Sequence, residues 1–170
     1  MMSVAKSLAL LMLVSLLGTL PANATYTVVS PNPIGSFYSE CNGITPDGRT
    51  QVGSAQIAGG PNIFAAKWHG NSESLSLFLP AGREQSYGYA VSDDGARKAG
   101  YGWRREGQNE VYHAFLWGAF GSVDLHPPGA SGSFAVGISP DGGTQVGDIL
   151  TALGGRHAAR WSGTLAVSRT

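Results

Sequence analysis

One cysteine stands among the 170 residues, charged side chains make up only 13% of them, and no apolar run is long enough to span a membrane. The lone cysteine excludes a disulfide framework within the chain. Eleven basic residues balance eleven acidic ones. That balance argues against a basic nucleic-acid surface, an acidic tail and a disordered chain. There is no phosphate-cradling loop and no G-x-S-x-G nucleophile elbow. Neither His69 nor His126 belongs to a zinc-ligand pattern. What the chain does have is 25 glycines and nine prolines among scattered Thr, Val, Tyr and Trp. That mixture predicts short strands joined by turns, in one domain or a short repeat array.

The first 24 residues divide as a secretory signal does. Lys6 gives a positive start, Leu8 to Leu17 is almost wholly apolar, and Ala22-Asn23-Ala24 is a small-residue exit. The apolar run falls short of the roughly 20 residues a spanning helix needs, and A-x-A fits a signal peptidase. The expectation is cleavage after Ala24, leaving a β-repeat domain over 25–170 with a formal charge of −1. The implied location is the periplasm or the cell exterior.

The remainder repeats without a gap at a period of 47. Ile44-Thr45-Pro46-Asp47-Gly48 aligns with Val91-Ser92-Asp93-Asp94-Gly95 and Ile138-Ser139-Pro140-Asp141-Gly142. Five residues beyond each Asp-Gly stands Gly53, Gly100 or Gly147. Upstream, Ser39, Ser86 and Ser133 share a column, as do Cys41, Gly88 and Ala135. Downstream, each copy ends an aromatic-rich stretch on Trp68, Trp117 or Trp161. Asp47-Gly48, Asp94-Gly95 and Asp141-Gly142 read as turns, with Asp bonding nearby backbone and Gly accepting positive φ. The small columns predict a strand lying close to another backbone, and the tryptophans a filling between sheets. Four strands in about 47 residues is the size of a propeller blade. The predicted fold is therefore all-β, with three four-stranded antiparallel repeats near 39–85, 86–132 and 133–170.

The run Ser133 to Gly142, Val146-Gly147 and His113-Ala114-Phe115-Leu116-Trp117 resembles the bacterial extracellular repeat called the HAF family. The resemblance covers the chain from about Ser39, and it implies export and a propeller-like fold without assigning an activity. Phe64 replaces the family's histidine in the first copy, and the third reads His157-Ala158-Ala159.

Three blades are too few for a ring, since propellers close with roughly four to eight. Thr25 to Val29 reads as an orphan strand, and the fourth strands fall at Leu75–Leu79, Val123–Leu125 and Thr164–Val167. A truncated relative of a longer protein, two chains completing a six-bladed ring, and an open arc all fit this count. Unpaired sheet edges invite association, so a homo-oligomer is among the expected assemblies.

Chemistry is sparse. His113 and His157 share a column with Phe64, which suits a packed ring better than a base. The turn aspartates offer too few oxygens for calcium. Cys41 reads as a buried, inert thiol. Glu106 and Glu110 lie in what reads as a polar loop. The non-repeated run Tyr101-Gly102-Trp103-Arg104-Arg105 is the candidate binding segment, because Trp, Tyr and Arg dominate binding hot spots and aromatic faces stack on sugars. The competing reading has Tyr101 and Trp103 alternating into the core. Variable loops are expected at 54–63, 101–112 and 148–156. The expected protein is exported, binds or scaffolds a protein or glycan, and needs no metal, cofactor or catalytic residue. A propeller-type glycan hydrolase and a remnant of a larger surface protein are the alternatives.

Overall fold

The computed structural model describes residues 27–32, 35–56 and 59–163, with 71–77 as backbone only. The signal segment and the expected strand Thr164–Val167 lie outside them. The described residues form eleven strands and no helix. None of them therefore forms a helix long and apolar enough to cross a membrane. The first sheet runs β1 (Ser39–Ile44), β2 (Thr50–Gln56), β3 (Ile63–His69) and β4 (Asn71–Phe78). The second runs β5 (Gln85–Val91), β6 (Lys98–Glu106), β7 (Asn109–Gly118) and β8 (Gly121–Asp124). The third holds β9 (Ala130–Ile138), β10 (Thr144–Thr151) and β11 (Arg156–Ser162). In each sheet neighbours in sequence are antiparallel neighbours in space.

The turn between the first two strands is built the same way three times. Thr45, Ser92 and Ser139 donate their hydroxyls to Asp47, Asp94 and Asp141. The same carboxylate oxygens accept the amides of Arg49, Ala96 and Gly143 at 3.0, 2.9 and 2.9 Å. Thr50, Arg97 and Thr144 in turn donate their amides to the three hydroxyls. These bonds to the ionised form, hydroxyl first, hold all three carboxyls below their ordinary pKa. The carboxylates are therefore committed to the turn.

The register repeats too. Cys41, Gly88 and Ala135 face Gly53, Gly100 and Gly147, and one residue later each first strand bulges at Asn42, Tyr89 or Val136. The bulge drives a carbonyl across the neighbouring strand. A Cβ at Gly53, Gly100 or Gly147 would lie 1.8–1.9 Å from the carbonyl oxygen of Glu40, Tyr87 or Phe134. Only glycine fits there.

Successive sheets are latched by the serine column. Ser86 on β5 accepts the amide of Ala65 on β3 at 2.9 Å and donates to the Phe78 carbonyl. Ser133 on β9 accepts the amide of Ala114 on β7 at 2.9 Å. Both serines are fully buried. Two of the repeat tryptophans lean on the sheet before their own: Trp117 packs with Ala65, and Trp161 against the Ala99–Ala114–Ala135 cluster. Trp68 is buried with Ala55 and Ala66 of its own sheet. The third sheet breaks the pattern on its far side. Val52 and Ala99 are 1% and 0% exposed, whereas Val146 in the same column is 47% exposed. No described sheet follows to cover it.

Three expectations need correction. Residues 27–29 carry no strand, and Val28 and Val29 are exposed, because no described strand offers them a ladder. Cys41 is exposed. Its column is narrow where Gly88 and Ala135 meet the preceding sheet, and β1 has no described sheet before it. The expected loop 101–112 is a hairpin of two long strands, and only Gly107-Gln108 lies between them. The other two variable connections shrink to 57–62 and 152–155.

Candidate functional site

The β6–β7 hairpin places the candidate segment. Strand alternation sends Tyr101, Trp103 and Arg105 to one face and Arg104 to the other. Opposite them on β7 stand Ala114, Tyr112 and Glu110, and Tyr87 on β5 faces Tyr101. Tyr101 is the hub of an aromatic cluster. The rings of Tyr87 and Tyr89 stack on it at 5.0 and 5.7 Å, and Tyr112 and Phe134 meet it edge-on at 6.0 and 5.0 Å. Trp103 lies 6.3 Å from Tyr112. All six rings are partly exposed, so the face is neither sealed core nor bare surface. Arg104 pairs with Glu106 on the opposite face and is no part of this cluster.

The phenols are held protonated. Burial, followed by the neighbouring Tyr89, raises Tyr101 far above the ordinary tyrosine range. Tyr112 donates its hydroxyl to Glu110, and that bond, with burial, pushes it up to about 12. Phe134 carries the guanidinium of Arg156 over its ring at 5.7 Å, and Arg156 is paired with Asp148 at 2.6 Å. Beyond the Trp103–Tyr112 rung, Arg105, Gly107, Gln108, Asn109 and Glu110 line a hollow of about 590 Å³.

A second polar cluster lies at the junction of the second and third sheets. His113 and His126 stack at 3.8 Å with an 8° interplanar angle. His113 Nδ1 lies 2.7 Å from Asp124 and 2.6 Å from Arg83. Arg83 also reaches Asp124 at 3.3 Å and lies over the Phe115 ring at 5.4 Å. His126 Nε2 is 3.1 Å from the Ala130 carbonyl, which can only accept, so this nitrogen carries the proton. His126 Nδ1, 2.9 Å from Ser133 Oγ, then accepts the serine proton. Thus Ala114 N–H, Ser133 and His126 form one directed chain across the junction. Ser133 is sealed, which makes it a latch and no nucleophile. Nothing in the spacing of Arg83, His113, Asp124, His126 and Ser133 foretells this cluster; only the sheet pairing assembles it.

Burial, and then the neighbouring His113, lower the His126 pKa. Burial alone would raise the Asp124 carboxyl, but His113, the His126 amide and Arg83 outweigh it and hold it low. The signs set two windows. With His126 lowered, the unfolded chain binds the extra proton first, so stability is lost as pH falls below about 6.5. The Asp124 contribution is lost only below about 3.9. Thermal melts at about pH 7.5 and 5.0 should therefore show a drop that His126→Gln reduces. An equal drop in both proteins would remove His126 as its source.

No protein-family model matches the chain, and no curated protein does. Among solved structures, TolB from Acinetobacter baumannii, a β-propeller, is similar at a TM-score of 0.52 and 14% identity. The match covers 75% of this chain and 30% of that one. The likeness shows a propeller-like fold. The chain spans less than a third of the TolB structure's length.

Proposed function

We propose that the chain is an exported, non-catalytic, propeller-like protein that binds its ligand through the aromatic face of the second sheet. One observation carries this reading: apart from the column that Tyr87 shares with Phe134, the aromatics are not part of the repeat. At the columns of Tyr87, Tyr89, Tyr101 and Trp103 the first sheet has Glu40, Asn42, Ser54 and Gln56. The third has Phe134, Val136, Asp148 and Leu150. The frame folds the same strand, bulge and turn with any of these, so it does not itself require five tyrosine and tryptophan rings in one place. Export rests on the residues of the signal segment, and the repeat on its resemblance to the HAF type.

The hydrolase alternative finds less support in the geometry. Glycosidic cleavage needs two carboxyls flanking one bond. Glu110 lies on the aromatic face bonded to Tyr112, while Glu106 lies on the opposite face bonded to Arg104.

Trp103→Gln, the residue of the equivalent column in the first sheet, tests whether the ring serves the fold or the face. A binding role predicts a melting temperature lowered by less than about 5 °C. A fall above about 10 °C would make Trp103 a core residue and remove the carrying observation.

A further inference from the structure

We infer that the ligand of this face is a neutral glycan, with a pyranose ring on the Trp103–Tyr112 rung and hydroxyls reaching into the hollow beyond it. The inference rests on the binding reading above and adds the ligand's chemistry. Three features favour it. Trp103 and Tyr112 face one another across the β6–β7 ladder, and Arg105 and Glu110 form the next rung on the same face. The two rungs are about 7 Å apart along the strand. An apolar platform thus gives way, within one sugar-sized step, to polar groups.

The hollow itself is lined by a guanidinium, two carboxamides and a carboxylate, with Gly107 at the turn. These planar groups offer paired donors or acceptors that match adjacent hydroxyls. The lining has no apolar side chain, so the buried hydrophobic anchor of a protein partner has no pocket there.

Charge points the same way. Arg105 faces Glu110 across the ladder, Arg156 is paired with Asp148, and Glu40 adds a negative charge beside Tyr38 and Tyr87. A face with no excess of positive charge does not gather phosphates or sulfates. Tyr101 and Tyr112, held above the ordinary tyrosine range, keep their hydroxyl protons at physiological pH.

The test is a titration of the full chain with cellohexaose, xylohexaose and chitohexaose, followed by calorimetry and by tryptophan fluorescence. Trp68 and Trp117 are buried and Trp161 is partly exposed, so it is a response present in the native chain and lost in Trp103→Phe that reports the face. Binding of one of the three is expected, changing less than about twofold between low and high salt. Trp103→Gln and Arg105→Ala should each weaken it by about tenfold. Arg104→Ala, on the other face, should change it by less than about twofold.

Binding of heparin that falls steeply with salt would overturn the neutral class. A Trp103 response to a displayed random-peptide library but to none of the three sugars would overturn the glycan and leave the binding face standing. Silence towards all of them would overturn both.

Discussion

Alanine at Gly100 is expected to cost more than about 3 kcal/mol and to leave most of the protein unfolded at moderate denaturant. The added Cβ would sit 1.9 Å from the Tyr87 carbonyl oxygen and 2.8 Å from the Trp117 ring. The first obstacle is backbone. It is held there by the bulge at Tyr89, so relief requires separating β5 from β6. The second is a tryptophan packed between two sheets and only 3% exposed. A domain of this size has about 5–15 kcal/mol in all, so one methyl group removes a large share of it. Gly107→Ala is the control. Gly107 has φ of 62° and nothing within 4 Å of its missing Cβ. It pays only the left-handed strain of about 1–2 kcal/mol. Urea midpoints of the two variants would separate a steric requirement from a conformational one. Equal losses would refute the crowding at Gly100.

That glycine shows how far the sequence can be read. Gly53, Gly100 and Gly147 are plain as a column, and so are Ser39, Ser86 and Ser133. Their causes are not, because each lies in another strand. The glycine answers a carbonyl pushed across by a bulge, and the serine answers an amide 19 or 21 residues away in the preceding sheet. A column records that a constraint exists without naming the atom that imposes it. Cys41 illustrates the risk. Its column implies burial, yet burial depends on a preceding sheet, and at β1 none is described.

The aromatic face was half legible. Tyr101, Trp103 and Arg105 stand out as a non-repeated run, but Arg104 stands beside them only in sequence, and the two-residue period of a strand puts it on the other side. The polar run from Arg104 to Glu110 looks like a loop because nothing in it is apolar. It is strand because β5 and the rest of β7 fix the ladder, and the register then extends to Glu106 and Asn109. Tyr112 enters the site through strand pairing, and Phe134 through the packing of the third sheet on the second. The His113–His126 cluster had no signal at all, since its members come from three strands and two connections.

Trp117 and Trp161 occupy one sequence column but not one environment, and their alanine variants should differ accordingly. Trp117 is 3% exposed, packs with Ala65 and Phe115, and fills the gap between the first and second sheets. Its removal should cost about 3–5 kcal/mol, the lost burial plus a cavity that two strapped sheets cannot collapse into. Trp161 packs against the Ala99–Ala114–Ala135 cluster and stays partly open to solvent. Trp161→Ala should cost about 1–2 kcal/mol. Trp117→Phe adds a finer test. The Trp117 indole nitrogen is buried without a hydrogen-bond partner among the described residues, a burden of about 1–3 kcal/mol that phenylalanine does not carry. The ring lost and the burden relieved partly offset, so Trp117→Phe should be milder than Trp117→Ala by more than ring size alone implies. Denaturant midpoints for the three variants decide it. Similar losses for Trp117→Ala and Trp161→Ala would mean that Trp161 is as fully enclosed in solution as Trp117.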